Sequence, residues 1–265
     1  MSVVPAKEGY TASFDVALDL TQREIGMTAN LSVAGTRQGT RRFYVGVAIA
    51  VLITVFLGFS RSYFLKAYYG TPELSLHVHI HGLVFTSWVL LFLAQTTLVA
   101  TGRTDLHRKL GVGGAVLAAL LLIMGTTTAI LRVKGGGPSP IPGVPPLSFL
   151  AVPLFDMVVF AMLIGAGLVL RNRPDTHKRL MTLATIALTS APIARIAAVR
   201  QVGPPAFFGL TDLFIVAMLV YDLATRRKVH PATIWGGLVI LASQPLRLMI
   251  SGTPAWLAFA GWLTS

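Results

Sequence analysis

Residues 76–110 read LHVHIHGLVFTSWVLLFLAQTTLVATGRTDLHRKL, and their reading decides the fold. From Leu76 to Ala100 there is no Asp, Glu, Lys or Arg. A helix of about 25 residues is ~37 Å long, enough to cross a hydrocarbon layer of ~30 Å. Gly102 and Arg103 then mark a tight basic turn, and a second long apolar run follows His107. Two such runs joined by a short charged turn form a helical hairpin in a bilayer, the one setting where every backbone group must be satisfied within the helix.

Working outward, the same pattern recurs. A leading span is expected at about 43–66, directly after Arg41 and Arg42. The quoted hairpin supplies spans at about 76–100 and 107–131. Gly135 to Pro146 is too rich in Gly and Pro for a helix and reads as an exposed loop. Further spans are expected at about 147–170 and 177–199, then a loop at Gly203, Pro204 and Pro205, then spans at about 210–225 and 232–252. The expected fold is all-α, a polytopic membrane bundle of seven transmembrane helices, with one leading helix and three hairpins. Residues 1–40 read as a cytoplasmic, largely disordered tail with one short interfacial helix near Phe14 to Leu20, residues 41–253 as the membrane domain, and residues 254–265 as an interfacial segment anchored by Trp256 and Trp262.

Composition agrees. Of 265 residues, 54% are hydrophobic and 12% charged, about half the ~25% of a soluble domain. The net charge of +12 is spread over short turns without a recognition motif, which argues against nucleic acid as a partner. Fifteen of the 22 basic residues fall on one side of the expected topology. They are Lys7, Arg23, Arg37, Arg41 and Arg42 in the tail, then Arg103, Arg108, Lys109, Arg171, Arg173, Lys178, Arg179, Arg226, Arg227 and Lys228 in the turns. The positive-inside rule makes that side cytoplasmic, giving N-in and C-out. The lipid bilayer is the expected partner, with other membrane subunits or a second copy of the chain as further ones. The absence of cysteine removes disulfides, thiolate metal sites and thiol nucleophiles.

The three basic turns resemble one another. Two carry Asp two residues before His, as Asp105 before His107 and Asp175 before His177, at an expected helix N-cap, and the third carries His230 before Pro231. Pro192 and Pro245 each follow their turn histidine by fifteen residues, and Arg195 and Arg247 follow the prolines. Parallel repeats of this kind occur in transporters, with sites at the repeat interface. His107, His177 and His230 share one depth, as bis-imidazole haem ligation requires, but a histidine beside Lys and Arg can equally be a surface or capping residue.

Ionisable residues inside a membrane are costly and need partners. Counted from their turns, Asp156 and Arg195 fall at similar depth, and so do Asp212 and Arg247. Each pair can meet across its own hairpin or exchange partners with the other, as structural clamps or as a functional site. Asp222 reads as a local ion pair with Arg226 four residues on. At the opposite end from the basic turns stand His77, His79 and His81, facing Thr126 to Thr128. His77 and His81 share a helix face and form half a metal site, which Asp156 or Asp212 could complete; the alternative is interfacial imidazoles bonded to headgroups or carbonyls.

His81-Gly82, Trp88, Gln95, His107-Arg108 and Leu110-Gly111, with the later His177-Lys-Arg-Leu-Met181 and Arg195, resemble the bacterial membrane families known as domains of unknown function 2306 and, more weakly, 420. The first has no assigned activity. The second is linked to haem–copper oxidase maturation, so the resemblance implies haem or copper handling in a bacterial inner (plasma) membrane, as a multi-pass protein. This chain is longer than the 420 pattern and carries a third hairpin.

Four function classes follow. One is a haem- or metal-binding protein of respiratory electron transfer or oxidase assembly, holding haem b at the turn histidines or copper or zinc at the triplet. A small-solute or proton-coupled transporter would use the intramembrane Asp–Arg pairs. A metal-dependent membrane hydrolase would activate water at His and Asp ligands. The fourth is a non-catalytic subunit of a membrane complex.

Overall fold

The structure is a computed structural model that describes Gly39 and residues 41–265. The tail with its expected interfacial helix, including Lys7, Arg23 and Arg37, lies outside the described residues. The chain divides into two units, Met1–Arg42 and Phe43–Ser265, and the second holds the helical bundle.

The described residues contain helices, turns and no strand. Six helices are long and apolar enough to cross a membrane: α1 (Arg41–Phe64), α2 (Leu76–Ala100), α3 (Thr104–Lys134), Pro146–Val169, α9 (Pro204–Arg226) and α10 (Pro231–Ser251). Pro146–Val169 comprises α4 (Pro146–Phe149) and α5 (Ala151–Val169). These lengths and compositions are those of a multi-pass membrane protein. The surface agrees, because Ile53, Leu57, Leu83, Val112, Ile123, Val158, Leu213, Val220 and Met249 are all more than half exposed. A protein in water rarely presents so large an apolar area.

The expected span at 177–199 is not one helix. It is α6 (Pro174–Ala187), α7 (Ser190–Ile193) and α8 (Ala197–Val202). The cause lies in Pro192, whose ring clashes with the carbonyl four residues back, at Leu188, just where α6 has ended. Thr189 Oγ1 donates to Ile186 O at 2.7 Å and satisfies one freed carbonyl. Pro245 occupies the same repeat position, yet α10 runs through it. There Ser243 Oγ donates to Ile240 O (2.6 Å), and Arg247 Nε donates to Ser243 O (3.1 Å).

Gly203, Pro204 and Pro205 are not a loop. Gly203 takes φ +85° between α8 and α9, and the two prolines open α9, where a missing N–H costs nothing. The segment between Gly135 and Pro145 is non-helical as expected, although Ile141 within it is buried. Trp256, expected as an interfacial anchor, is instead buried in α11 (Pro254–Thr264), with Nε1 donating to Leu147 O at 2.9 Å; Trp262 is exposed.

The core sits on α5. Of its most apolar stretch 44% is buried, against 17% for α2 at the periphery. Phe160, Leu163 and Met157 of α5 pack with Leu183 and Ile186 of α6, Leu121 of α3 and Ile240 of α10. Contacts between His107 and His177, and between Arg226 and Asp175, bring the starts of α3 and α6 and the end of α9 to one end of the bundle, which is the basic end.

Candidate functional site

At the basic end two turn histidines meet. His107 and His177 are each the fourth residue of their helix, α3 and α6. Their ring centres lie 6.2 Å apart, nearly perpendicular. His177 Nδ1 is 2.8 Å from Gly167 O, an acceptor only, so Nδ1 carries the proton and Nε2 keeps a free lone pair. Gln95 of α2 holds His107. With its amide oxygen accepting from Gly111 N (3.1 Å), its nitrogen donates to His107 Nδ1 at 2.6 Å and to His107 O at 3.2 Å. In this orientation Nδ1 accepts, so the His107 ring proton sits on Nε2; the reverse orientation would set the amide oxygen against His107 O and the amide nitrogen against Gly111 N–H.

His230 does not join them. It is the N-cap of α10, where its Nδ1 accepts from Ala232 N at 3.1 Å and its own N–H donates to Asp222 Oδ2 at 3.1 Å. His107 and His177 stand one turn inside their helices, whereas His230 stands before its helix begins. Partial burial, with the charges of Arg179 and Arg226, lowers the His230 pKa below its ordinary value. The expected Asp N-caps are displaced too. Arg103 and Arg173 hold the N-cap positions without side-chain bonds, and Asp105 and Asp175 lie in the first turn.

Beside this pair lies a buried network that the sequence reading assigned wrongly. Asp222 is not paired with Arg226. It accepts from Arg179 through Nη2 and through Nε (3.2 Å), and from Thr233 Oγ1 at 2.6 Å. Arg226 reaches Asp175 instead, at 3.4 Å. Arg179 and Asp222 are both 1% exposed, so this is a fully enclosed ion pair joining α6 to α9 and α10. The sequence did carry a signal, since Arg179 falls within the buried stripe of Leu180, Thr182, Leu183 and Ile186.

Halfway to the other end the expected Asp–Arg pairs re-form with different partners. Asp156 of α5 accepts from Arg247 Nη1 of α10 at 2.5 Å and from Ser190 Oγ of α7 at 3.0 Å. Arg247 also donates to Ser243 Oγ (2.7 Å) and Val152 O (3.2 Å). Asp212, partly exposed on α9, accepts from Gln244 Nε2 at 2.7 Å and has no arginine partner among the described residues. Arg195 has no carboxylate partner among the described residues. It lies beyond the helix break, its guanidinium over the Phe59 ring at 4.6 Å and its Nη1 donating to Ala191 O at 2.7 Å.

The histidine triplet is dispersed. His77 Nε2 meets Thr128 Oγ1 at 2.8 Å, as the facing threonines predict. His79 turns to α1, where its ring lies 5.8 Å from that of Tyr63. His81 stacks on Phe85 at 4.3 Å, with Nδ1 buried and unpartnered. Asp156 is engaged by Arg247 and Asp212 by Gln244, so neither carboxylate completes a metal site with the triplet. Among the described residues no three His, Asp or Glu side chains gather as a metal-binding group. The expectation of a metal held by His77, His79, His81, Asp156 and Asp212 is corrected, because a regular helix sends alternate histidines to different neighbours.

Comparison with protein-family models, with curated proteins and with solved structures finds no match.

Proposed function

We propose that this chain is a seven-crossing protein of the bacterial inner membrane, N-in and C-out, whose His107–His177 pair binds a haem iron or a copper ion for respiratory electron transfer or oxidase assembly. The observation that carries the reading is the 6.2 Å spacing of two imidazoles from different helices, each braced at Nδ1. Two in-line metal–nitrogen bonds of about 2.0–2.1 Å separate imidazole centres by ~6 Å. Donation from Nδ1 to a carbonyl, as His177 makes to Gly167 O, is the usual support of a ligating histidine, whereas His107, whose Nδ1 accepts, would release its Nε2 proton on binding. Arg108 and Lys178, the residues after each histidine, disfavour a divalent ion and favour monovalent copper or a haem with anionic propionates. The bound metal would supply one-electron chemistry; the chain itself fixes imidazole tautomer, spacing and surrounding charge. The seventh crossing in this reading is the broken α6–α8.

Absorption spectroscopy and metal analysis of the purified full-length chain, expressed with haem and copper supplied, test it. A Soret band or stoichiometric copper that disappears in His107→Ala and in His177→Ala, and persists in His230→Ala, is the expected result. Neither band nor metal in the parent protein overturns it.

The break between α6 and α8 favours a second reading, a transporter, since discontinuous helices commonly form substrate sites. Solute uptake by proteoliposomes that persists in an Asp156→Asn, Asp212→Asn variant removes those carboxylates as coupling groups.

A further inference from the structure

Arg179 on α6, Arg195 after α7 and Arg247 on α10 differ in one respect. Arg179 is held by Asp222 and Arg247 by Asp156. Arg195 has no such partner. Its protein hydrogen bond is to Ala191 O, and its flat face rests on Phe59. The side chain is exposed.

The surroundings of Arg195 are polar on one side and apolar on the other. α1 forms the common wall. Gly58 lies against Pro192, so closely that a Cβ would stand 2.2 Å from Pro192 O. Phe59 follows under the guanidinium. One turn on, Tyr63 covers Gly82 and donates to His79 O at 3.3 Å. This brings Arg195 near the His81 end of α2. The His81 Nδ1 in that wall is buried without a partner. Among the described residues no carboxylate answers these groups, because Glu73 pairs with Lys66 at 2.8 Å and Asp156 with Arg247. On the other side Phe56, Leu57 and Val202 present exposed apolar surface.

We propose that the groove between α1, the start of α2 and the α7–α8 break binds a phosphate group, with Arg195 as its main ligand. A guanidinium offers parallel N–H groups that match two phosphate oxygens. An uncompensated cation beside lipid-facing side chains calls for an anion. That chemistry belongs equally to an anionic phospholipid headgroup and to free phosphate.

The test uses the full-length protein. In one arm, native mass spectrometry from mixed phosphatidylglycerol–phosphatidylcholine nanodiscs measures retained phosphatidylglycerol. In the other, calorimetry in detergent measures binding of inorganic phosphate. Arg195→Gln is compared with Arg200→Gln, a control in the last turn of α8, and with Arg195→Lys, which keeps the charge and guards against misfolding. The expected result is a loss of about tenfold or more in one arm for Arg195→Gln, since charge-assisted bonds carry this much. Arg195→Lys should lose less and Arg200→Gln nothing. Loss in the first arm identifies a lipid headgroup, and loss in the second a free anion. Equal retention by Arg195→Gln and Arg200→Gln, or no retention by the parent in either arm, overturns the proposal.

Discussion

The fully enclosed Arg179–Asp222 pair shows what a single residue contributes here. Removing one member of such a pair strands the other charge, at a cost of roughly 3–5 kcal/mol. Arg179→Met should therefore lower the melting temperature in detergent strongly, and adding Asp222→Asn should recover part of the loss, so that the two changes are less than additive. His230 gives a pH test. Its Nδ1 accepts the Ala232 N–H only while unprotonated, and its pKa is lowered on folding. The cap therefore stabilises fully above the ordinary imidazole value of ~6.5 and loses its contribution as the pH falls through the lowered value. His230→Asn, which caps at any pH, should narrow the difference in melting temperature between neutral and acidic buffer; an unchanged difference would assign the pH response elsewhere. His230→Ala should cost about 1 kcal/mol at neutral pH. At this scale the sequence was only half legible. Depth counting brought Asp156, Asp212 and Arg247 to similar levels, because rise per residue is fixed, and Arg247 does meet Asp156. Rotation about the helix axis is not fixed by counting, and it gave Arg247 to Asp156, Gln244 to Asp212 and Arg195 to no carboxylate.

Among elements, the second and third hairpins carry the same proline and diverge. Pro192 ends a helix, whereas α10 runs through Pro245, where Arg247 adds a bond to Ser243 O. Hydropathy is blind to this difference, since both segments are apolar and of spanning length. The bend at Pro192 seats α7 on Gly58. Gly58→Ala places a methyl group where backbone already stands, and overpacking of this kind costs typically 1–3 kcal/mol. A thermal melt should show that loss, while Gly46→Ala, with open space around it, should show none. The turns teach a similar lesson. Their residue types were readable as a repeat, but His230 sits four places earlier relative to its helix than His107 and His177 do. Pro231 directly follows His230 and takes the first helical position, which sets that offset.

For the whole molecule, the all-helical architecture was legible at once, because a bilayer allows few alternatives to long apolar helices. A chain without cysteine is also a ready background for mapping its orientation. In intact cells a membrane-impermeant maleimide should label Ser139→Cys readily, and Lys228→Cys only after permeabilisation. The reverse pattern would invert the proposed topology. One feature of the basic end bears on how the chain is made. α6 has fourteen residues, about 21 Å of helix, and carries Asp175, His177, Lys178 and Arg179. It is too short and too charged to leave a translocon for lipid alone. The carboxylate that neutralises Arg179 is Asp222, which the ribosome has not yet reached when α6 emerges. On the proposed seven-crossing topology, insertion of residues 174–202 is expected to await α9. A chain truncated after residue 205 and released from the ribosome should leave residues 174–202 open to protease, and one that ends beyond Thr233 should protect them.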